Sequence, residues 1–179
     1  MAVIIDGKEV AREKREQIKN RVESLKSQGK TVGLAVIIVG ENPASRVYVN
    51  NKKKACEEVG FTSFEYALPE ETTTEELLGL IDKLNADKTV NGILCQLPVP
   101  RHIDKNKVLE RILPEKDVDC FHPENVGKLC IGNGGLVPCT PMGMVKMLEY
   151  EGVDPMGMHC VIIGRSDIVG KPMAMLMLA

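Results

Sequence analysis

Segment 44–59 has a hydrophobic periodicity that predicts a helix, and Lys52 falls on the apolar side of that helix. On a helical projection of about 100° per residue, one arc carries three polar and three apolar residues: Ser45, Tyr48 and Lys52, then Ala55, Cys56 and Val59. We therefore expect Ser45, Tyr48 and Lys52 on the buried side of the helix, where each needs a polar partner or a cleft. An amine deprived of water is disfavoured as a cation, and a neutral amine can act as a general base. The alternative is structural, with Lys52 reaching solvent while Tyr48 packs in the core.

Two further polar residues stand where α/β proteins place ligand contacts. Gln96 lies at the carboxyl end of the apolar run 90–97, which is the end of a strand where such folds bind ligands. A hydrogen bond from this glutamine to a neighbouring loop would explain it as well. Asp119 offers two acceptor oxygens side by side, which suits a flat pair of N–H groups on a heterocycle. The alternative for Asp119 is a solvated loop carboxylate, and since no nearby acidic residues complete an oxygen cage, we expect no metal.

Residues 159–174 read as a buried strand, a glycine turn and the beginning of a helix. This arrangement directs backbone N–H groups at an anion such as a nucleotide phosphate. The turn Gly164, Arg165 and Ser166 departs from the dinucleotide fingerprint, because Ser166 replaces the second glycine and Gly170 comes one residue late. An ordinary strand-to-helix turn is therefore the alternative. The cation Arg165 favours NADP over NAD, since it suits the additional phosphate.

Composition excludes several classes of protein. The net charge of −2 arises from interspersed charges, which argues against nucleic acid or an anionic membrane surface as a partner. The six cysteines form no Cys-x-x-Cys pair and the three histidines complete no zinc spacing, so we expect reduced thiols in a cytoplasmic protein. No apolar run approaches the roughly 18 residues of a membrane span. The N-terminus also has too few apolar residues for a signal peptide.

Apolar runs alternate with helical patterns along the chain. Strands are predicted at residues 32–39, 63–68, 90–97 and 160–163, with an edge strand at 3–5. Helices are predicted at residues 8–28, 44–59, 74–86, 105–112 and 143–150. This alternation predicts an α/β fold in which a mostly parallel sheet carries helices on both faces.

Several helix ends have a local cause in the sequence. Gly60 suits a left-handed C-cap, and Thr73 with Glu76 fits a capping box. Thr140 before Pro141 fits an N-cap followed by a proline in the first helical position. The glycine-rich stretch 127–138 predicts an irregular connection, which we expect at a junction between two domains.

Five segments in this order resemble motifs of the bifunctional methylenetetrahydrofolate dehydrogenase/methenyltetrahydrofolate cyclohydrolase family: residues 39–52, 92–100, 114–123, 138–141 and 163–172. The resemblance implies a folate-binding catalytic domain over residues 1–121 and the incomplete start of a Rossmann-like NADP-binding domain over residues 122–179. It implies NADP-dependent oxidation of methylenetetrahydrofolate to methenyltetrahydrofolate and hydrolysis of that product to formyltetrahydrofolate. It also implies a homodimer with tetrahydrofolate derivatives as substrates.

The same resemblance implies a role for each candidate residue. Lys52 would be the general base or proton shuttle, and Tyr48 would stack on the folate. Gln96 would tune Lys52 through a hydrogen bond, and Asp119 would hold the N–H edge of the pterin. The remaining substrate contacts would be Ser45, Cys95 and Leu97, and the cofactor phosphates would meet Gly164, Arg165 and Ser166.

Three residues depart from the family pattern. Cys120 stands where glycine is usual, so the backbone after Asp119 is expected to differ slightly. Asp167 replaces asparagine in the cofactor turn and adds a negative charge that would weaken NADP binding. Cys95 replaces an aliphatic residue. Two alternative functions stay open: another two-domain NADP-dependent dehydrogenase with a different small substrate, and a fragment that binds folate without catalysis.

Overall fold

The structure, a computed structural model, describes residues 4–179. Its helices and strands, in chain order, are α1 Gly7–Ser27, β1 Gly33–Val39, α2 Pro43–Val59, β2 Thr62–Leu68, α3 Thr74–Ala86, β3 Gly92–Cys95, α4 Lys105–Arg111, α5 Pro123–Cys130, α6 Cys139–Tyr150 and α7 Gly170–Leu178, with a 3₁₀ turn at Pro114–Lys116. The described residues form two compact units, one of residues 15–118 and one of residues 4–14 together with 119–179.

A parallel three-stranded sheet in the order β2-β1-β3 organises the unit of residues 15–118. The central strand β1 is apolar along its length because helices cover both of its faces. One face packs on α3 and α4 through Ile37, Leu77 and Val108, and the other packs on α2 through Ile38 and Val49. The predicted α/β architecture is confirmed in this unit.

Local signals set several of the predicted helix ends. Gly60 adopts φ 85° at the end of α2, and Thr73 forms both hydrogen bonds of a capping box with Glu76 at the start of α3. The predicted N-cap at Thr140 is wrong, because α6 already begins at Cys139. Pro141 is tolerated inside that first turn, where its missing N–H would have no helical partner in any case.

The predicted strand at 160–163 is also wrong. These residues form neither helix nor strand, and the Ile163 side chain is 100% exposed. A strand needs a neighbour to accept its hydrogen bonds, and the described residues of this unit include no other strand. In the edge strand predicted at 3–5, Ile4 and Ile5 are irregular, and Val3 lies outside the described residues.

The irregular connection predicted at 127–138 is shorter than expected, because α5 occupies its first four residues. Pro123 stands in the first turn of α5, and the Nδ1 atom of His122 accepts a hydrogen bond from the N–H of Glu124 at 3.1 Å. An eight-residue helix with an internal glycine gives too weak a periodic pattern to be recognised in the sequence.

Candidate functional site

Lys52 of α2 and Gln96, the residue that follows β3, form a hydrogen-bonded pair. The Lys52 Nζ atom donates a hydrogen bond to Gln96 Oε1 at 2.9 Å, and both side chains are half-buried. The main-chain N–H of Gln96 donates to the carbonyl of Ile37 in β1 at 2.8 Å, which fixes the glutamine to the sheet. Residues 44 positions apart in the sequence thus form one polar pair at the carboxyl end of a parallel sheet.

A second hydrogen bond determines which way the Gln96 amide points. Its Nε2 atom donates to the carbonyl of Leu97 at 2.8 Å, so its oxygen faces the lysine. Because an amide oxygen can only accept, Lys52 must be the donor in this contact. A neutral Lys52 would therefore direct its lone pair away from Gln96, where it could accept a proton from another molecule.

The prediction that Tyr48 lies on the buried side of α2 is wrong. Its side chain is 62% exposed, whereas the buried positions of the helix are Ser45, Val49, Cys56 and Val59. Val49 lies outside the predicted arc, yet it packs against Val36 and Ile38 of β1. This contact sets the rotation of α2 about its axis, so that the Tyr48 side chain faces outward. Tyr48 and Lys52 remain on one side of α2 because they are four residues apart. The aromatic ring at this edge is open to a planar ligand.

The other substrate residues expected from the sequence have different surroundings. Ser45 is buried and its main-chain N–H donates to Asn42 Oδ1 at 3.1 Å, at the beginning of α2. Cys95 is buried in the core beside Ile37, whereas Leu97 is half-buried. The Leu97 carbonyl contributes to this site by accepting the hydrogen bond from Gln96 Nε2. The substrate contacts of Ser45, Cys95 and Leu97 stay predictions.

One turn beyond Lys52, Cys56 keeps its thiol neutral. Burial raises the pKa of this thiol above its usual value, and a hydrogen bond with Ser63 opposes that shift without cancelling it. A thiol that stays protonated is a poor nucleophile and adds no negative charge near the lysine. Cys56 is therefore not a candidate nucleophile of α2, and the catalytic role of Lys52 stays a prediction.

The segment that carries Asp119 is held on β3 just before it. Asp117 is buried and forms a parallel bridge with Ile93, while Asp119 is half-buried and begins the other unit. Cys120 is buried and adopts φ 58°, a left-handed conformation that favours glycine. The backbone here thus adopts a conformation typical of glycine although the residue is cysteine.

The glycine turn before α7 has an exposed backbone and an exposed cation, which fits a phosphate group. Gly164 has φ 150°, and Arg165 is exposed. The Ser166 Oγ atom accepts hydrogen bonds from the N–H groups of Val169 at 3.2 Å and Gly170 at 3.3 Å. The sequence predicts that the amides at the start of this helix point at an anion. For Val169 and Gly170 this is corrected, because their N–H groups already donate to Ser166. Asp167 pairs with Lys171 at 2.5 Å, and its expected weakening of NADP binding stays a prediction.

Replacing Gly170 with alanine should disrupt this turn. A Cβ atom on Gly170 would lie 2.5 Å from the carbonyl carbon and oxygen of Gly164, so the start of α7 would have to move away. We expect Gly170→Ala to lower the free energy of unfolding by about 1–3 kcal/mol. Gly143→Ala is the control, since no atom lies within 4 Å of a Cβ at this helical position. Equal unfolding midpoints for the two variants in calorimetry would contradict this contact.

Among residues 4–179, no group of three or more histidine, cysteine, aspartate or glutamate side chains could hold a metal ion. None of the described helices is long and apolar enough to cross a membrane.

Comparison with known proteins matches both parts of the chain. The family model for the tetrahydrofolate dehydrogenase/cyclohydrolase catalytic domain matches residues 5–119, and the model for the NAD(P)-binding domain of the same enzymes matches residues 138–179. The chain is 59% identical to the bifunctional protein FolD of Acetivibrio thermocellus and 57% identical to that of Ruminiclostridium cellulolyticum. It is covered to 99% in both matches and spans 62% and 63% of those relatives, less than two thirds of their length.

Two solved structures are similar over nearly the whole chain. The bifunctional FolD of Campylobacter jejuni is 50% identical, with a TM-score of 0.96 over 98% of this chain and 63% of its own. The Trypanosoma brucei enzyme, complexed with NADP cofactor and inhibitor, is 39% identical, with a TM-score of 0.94 over 99% of this chain and 61% of its own.

Proposed function

Because the chain belongs to the tetrahydrofolate dehydrogenase/cyclohydrolase family, we propose that it acts in the NADP-dependent oxidation of methylenetetrahydrofolate and the hydrolysis of the methenyl product to formyltetrahydrofolate. The observation that carries the proposal is the contact between Lys52 Nζ and Gln96 Oε1 at 2.9 Å. It places an oriented amine at the end of the sheet where α/β folds bind their ligands.

Hydrolysis of a methenyl cation needs an activated water, and an amine can accept a proton from that water only in its neutral form. We assign this role to Lys52, whose hydrogen bond to Gln96 Oε1 orients the amine. Water attacks the methenyl carbon, and Lys52 accepts the proton that the water loses. When the carbon–nitrogen bond then breaks, Lys52 returns this proton to the ring nitrogen and the new hydroxyl group loses its proton to solvent. Gln96 holds the amine in place through both transfers.

Substrate binding is assigned to groups that suit a pterin. The exposed ring of Tyr48 offers a stacking surface on the same side of α2 as Lys52. The Asp119 carboxylate would accept hydrogen bonds from the paired N–H groups of the pterin. Ser45, Cys95 and Leu97 complete the proposed set of substrate residues.

The glycine turn is the proposed cofactor site. Gly164, Arg165 and Ser166 would hold the phosphates of NADP, with Arg165 on the additional phosphate. The cofactor supplies the hydride acceptor when it is bound. The NADP complex of the related Trypanosoma brucei protein supports this assignment. The ion pair between Asp167 and Lys171 lowers the repulsion that a phosphate would otherwise meet from Asp167.

We also propose a domain organisation, an oligomeric state and a cellular compartment for the protein. A folate-binding domain would cover residues 1–121 and the start of the NADP-binding domain residues 122–179. Family resemblance supports a homodimer. The cysteines of the described chain carry free thiols, which is typical of a reducing compartment such as the cytoplasm.

The proposal predicts measurable hydrolysis by the 179-residue chain. Added to methenyltetrahydrofolate without NADP, the chain should remove the methenyl absorbance faster than buffer alone. Tetrahydrofolate should inhibit the reaction by competition, and a shikimate-like acid should not. Binding of tetrahydrofolate without any acceleration would instead support a fragment that binds folate and lacks catalysis.

A further inference from the structure

Lys116 makes an unusual set of contacts at the end of α3. Its Nζ atom donates to the main-chain carbonyls of Leu84, Asn85 and Asp87 at 2.9, 2.8 and 2.8 Å. Carbonyls in the last turn of a helix lack helical partners and carry the negative end of the helix dipole. One ammonium group thus uses all three of its donors to hold the 3₁₀ turn of Lys116 against α3.

The next two residues are also fixed, in this case to β3. Asp117 is 3% exposed and bridges to Ile93. Val118 packs directly over Gly92, where an added Cβ atom would lie 2.5 Å from Val118 Cγ1. Three consecutive residues before Asp119 are therefore attached to α3 or to the sheet.

We propose that Lys116 is a positioning residue for Asp119. Hydrogen bonds from an ammonium group are about twice as strong as neutral ones, and Lys116 has three of them. Consecutive Cα atoms are held about 3.8 Å apart, so a displacement at Lys116 reaches Asp119 within three covalent steps. The inference rests on the proposed function, in which the Asp119 carboxylate holds the N–H edge of the substrate.

The test replaces the ammonium group and keeps the aliphatic chain. Lys116→Met should raise the KM for methenyltetrahydrofolate hydrolysis roughly 10- to 100-fold, because a small misplacement of a binding group weakens binding by this order. The kcat should change far less, since Lys52 is untouched. Lys83→Met, which removes an exposed lysine from the same end of α3, is the matched control and should leave KM unchanged.

A double-mutant cycle separates positioning from general stability. In an Asp119→Ala background, Lys116→Met should add little to the loss, because the group that it positions is already gone. Additive losses, or an unchanged KM in Lys116→Met, would overturn the proposal. If Lys116→Met does not fold, Lys116→Arg keeps a cationic donor and should retain part of the affinity, and a loss as large as that of Asp119→Ala would count against it.

Amide exchange distinguishes this proposal from the proposed function. If the unaltered chain neither binds folate nor hydrolyses the methenyl substrate, the proposed function fails. The N–H groups of residues 117–119 should still exchange faster in Lys116→Met than in Lys83→Met. Equal exchange in the two variants would show that the contacts of Lys116 do not hold this segment.

Discussion

Lys52→Met is expected to lower the rate constant for methenyltetrahydrofolate hydrolysis by about 10²- to 10⁴-fold, which is the usual contribution of a positioned general base. Methionine has a similar length and fills the same half-buried position, but it has no nitrogen to accept the proton of the attacking water. It also ends the hydrogen bond to Gln96 Oε1. Tetrahydrofolate binding, measured by calorimetry, should stay nearly intact because the surface of Tyr48 is unchanged.

Lys53→Met provides the control for this experiment. Lys53 is the next residue of α2 and is exposed, so the variant makes the same change in charge away from Gln96. Its hydrolysis rate should equal that of the unaltered chain. Near-normal hydrolysis by Lys52→Met would refute the role of the lysine, whatever its affinity for folate.

Gly33→Ala should destabilise the sheet strongly. A Cβ atom at Gly33 would lie 2.0 Å from the main-chain oxygen of Thr89, and backbone cannot move aside as a flexible side chain can. The displacement would also strain the two 2.8 Å hydrogen bonds between Gly33 and Asn91. We expect the free energy of unfolding to fall by about 3 kcal/mol.

Denaturant unfolding of two glycine variants checks this prediction. In Gly79→Ala, a Cβ in the middle of α3 would meet no atom within 4 Å, and alanine should stabilise the helix by up to about 1 kcal/mol. The two substitutions add the same methyl group and should shift the unfolding midpoint in opposite directions. If the unfolding midpoint of Gly33→Ala were as high as that of Gly79→Ala, β1 would move away from the Thr89 carbonyl without loss of stability, which would contradict the prediction.

Features set by neighbouring residues were predictable from the sequence. The helix at 74–86 has the predicted bounds because Thr73 and Glu76 form its capping box, and β1 follows from an uninterrupted apolar run. The approach of Gln96 to Lys52 depends on the sheet order and was expected only through the family resemblance. The structure contains that hydrogen bond, and the catalytic role of the pair stays a prediction.

Features that depend on distant packing were not predictable in the same way. The projection of α2 alone does not show which side faces the sheet, and it puts Tyr48 on the buried side, where the structure has Val49. The β-branched run at 160–163 has the composition of a strand, yet pairing is a property of two segments and not of one. The hydrogen bonds of Ser166 to the start of α7 are local, but a serine there is equally compatible with a phosphate ligand.

The Ser166 hydroxyl satisfies two amides at the start of α7 in the absence of a ligand. By satisfying two amides itself, it orders the turn in advance, so a phosphate would meet a surface whose backbone entropy has already been lost. The affinity of such a site reflects the contacts formed on arrival and little rearrangement of the chain. Association should consequently be fast, and related nucleotides should differ mainly in their dissociation rate constants.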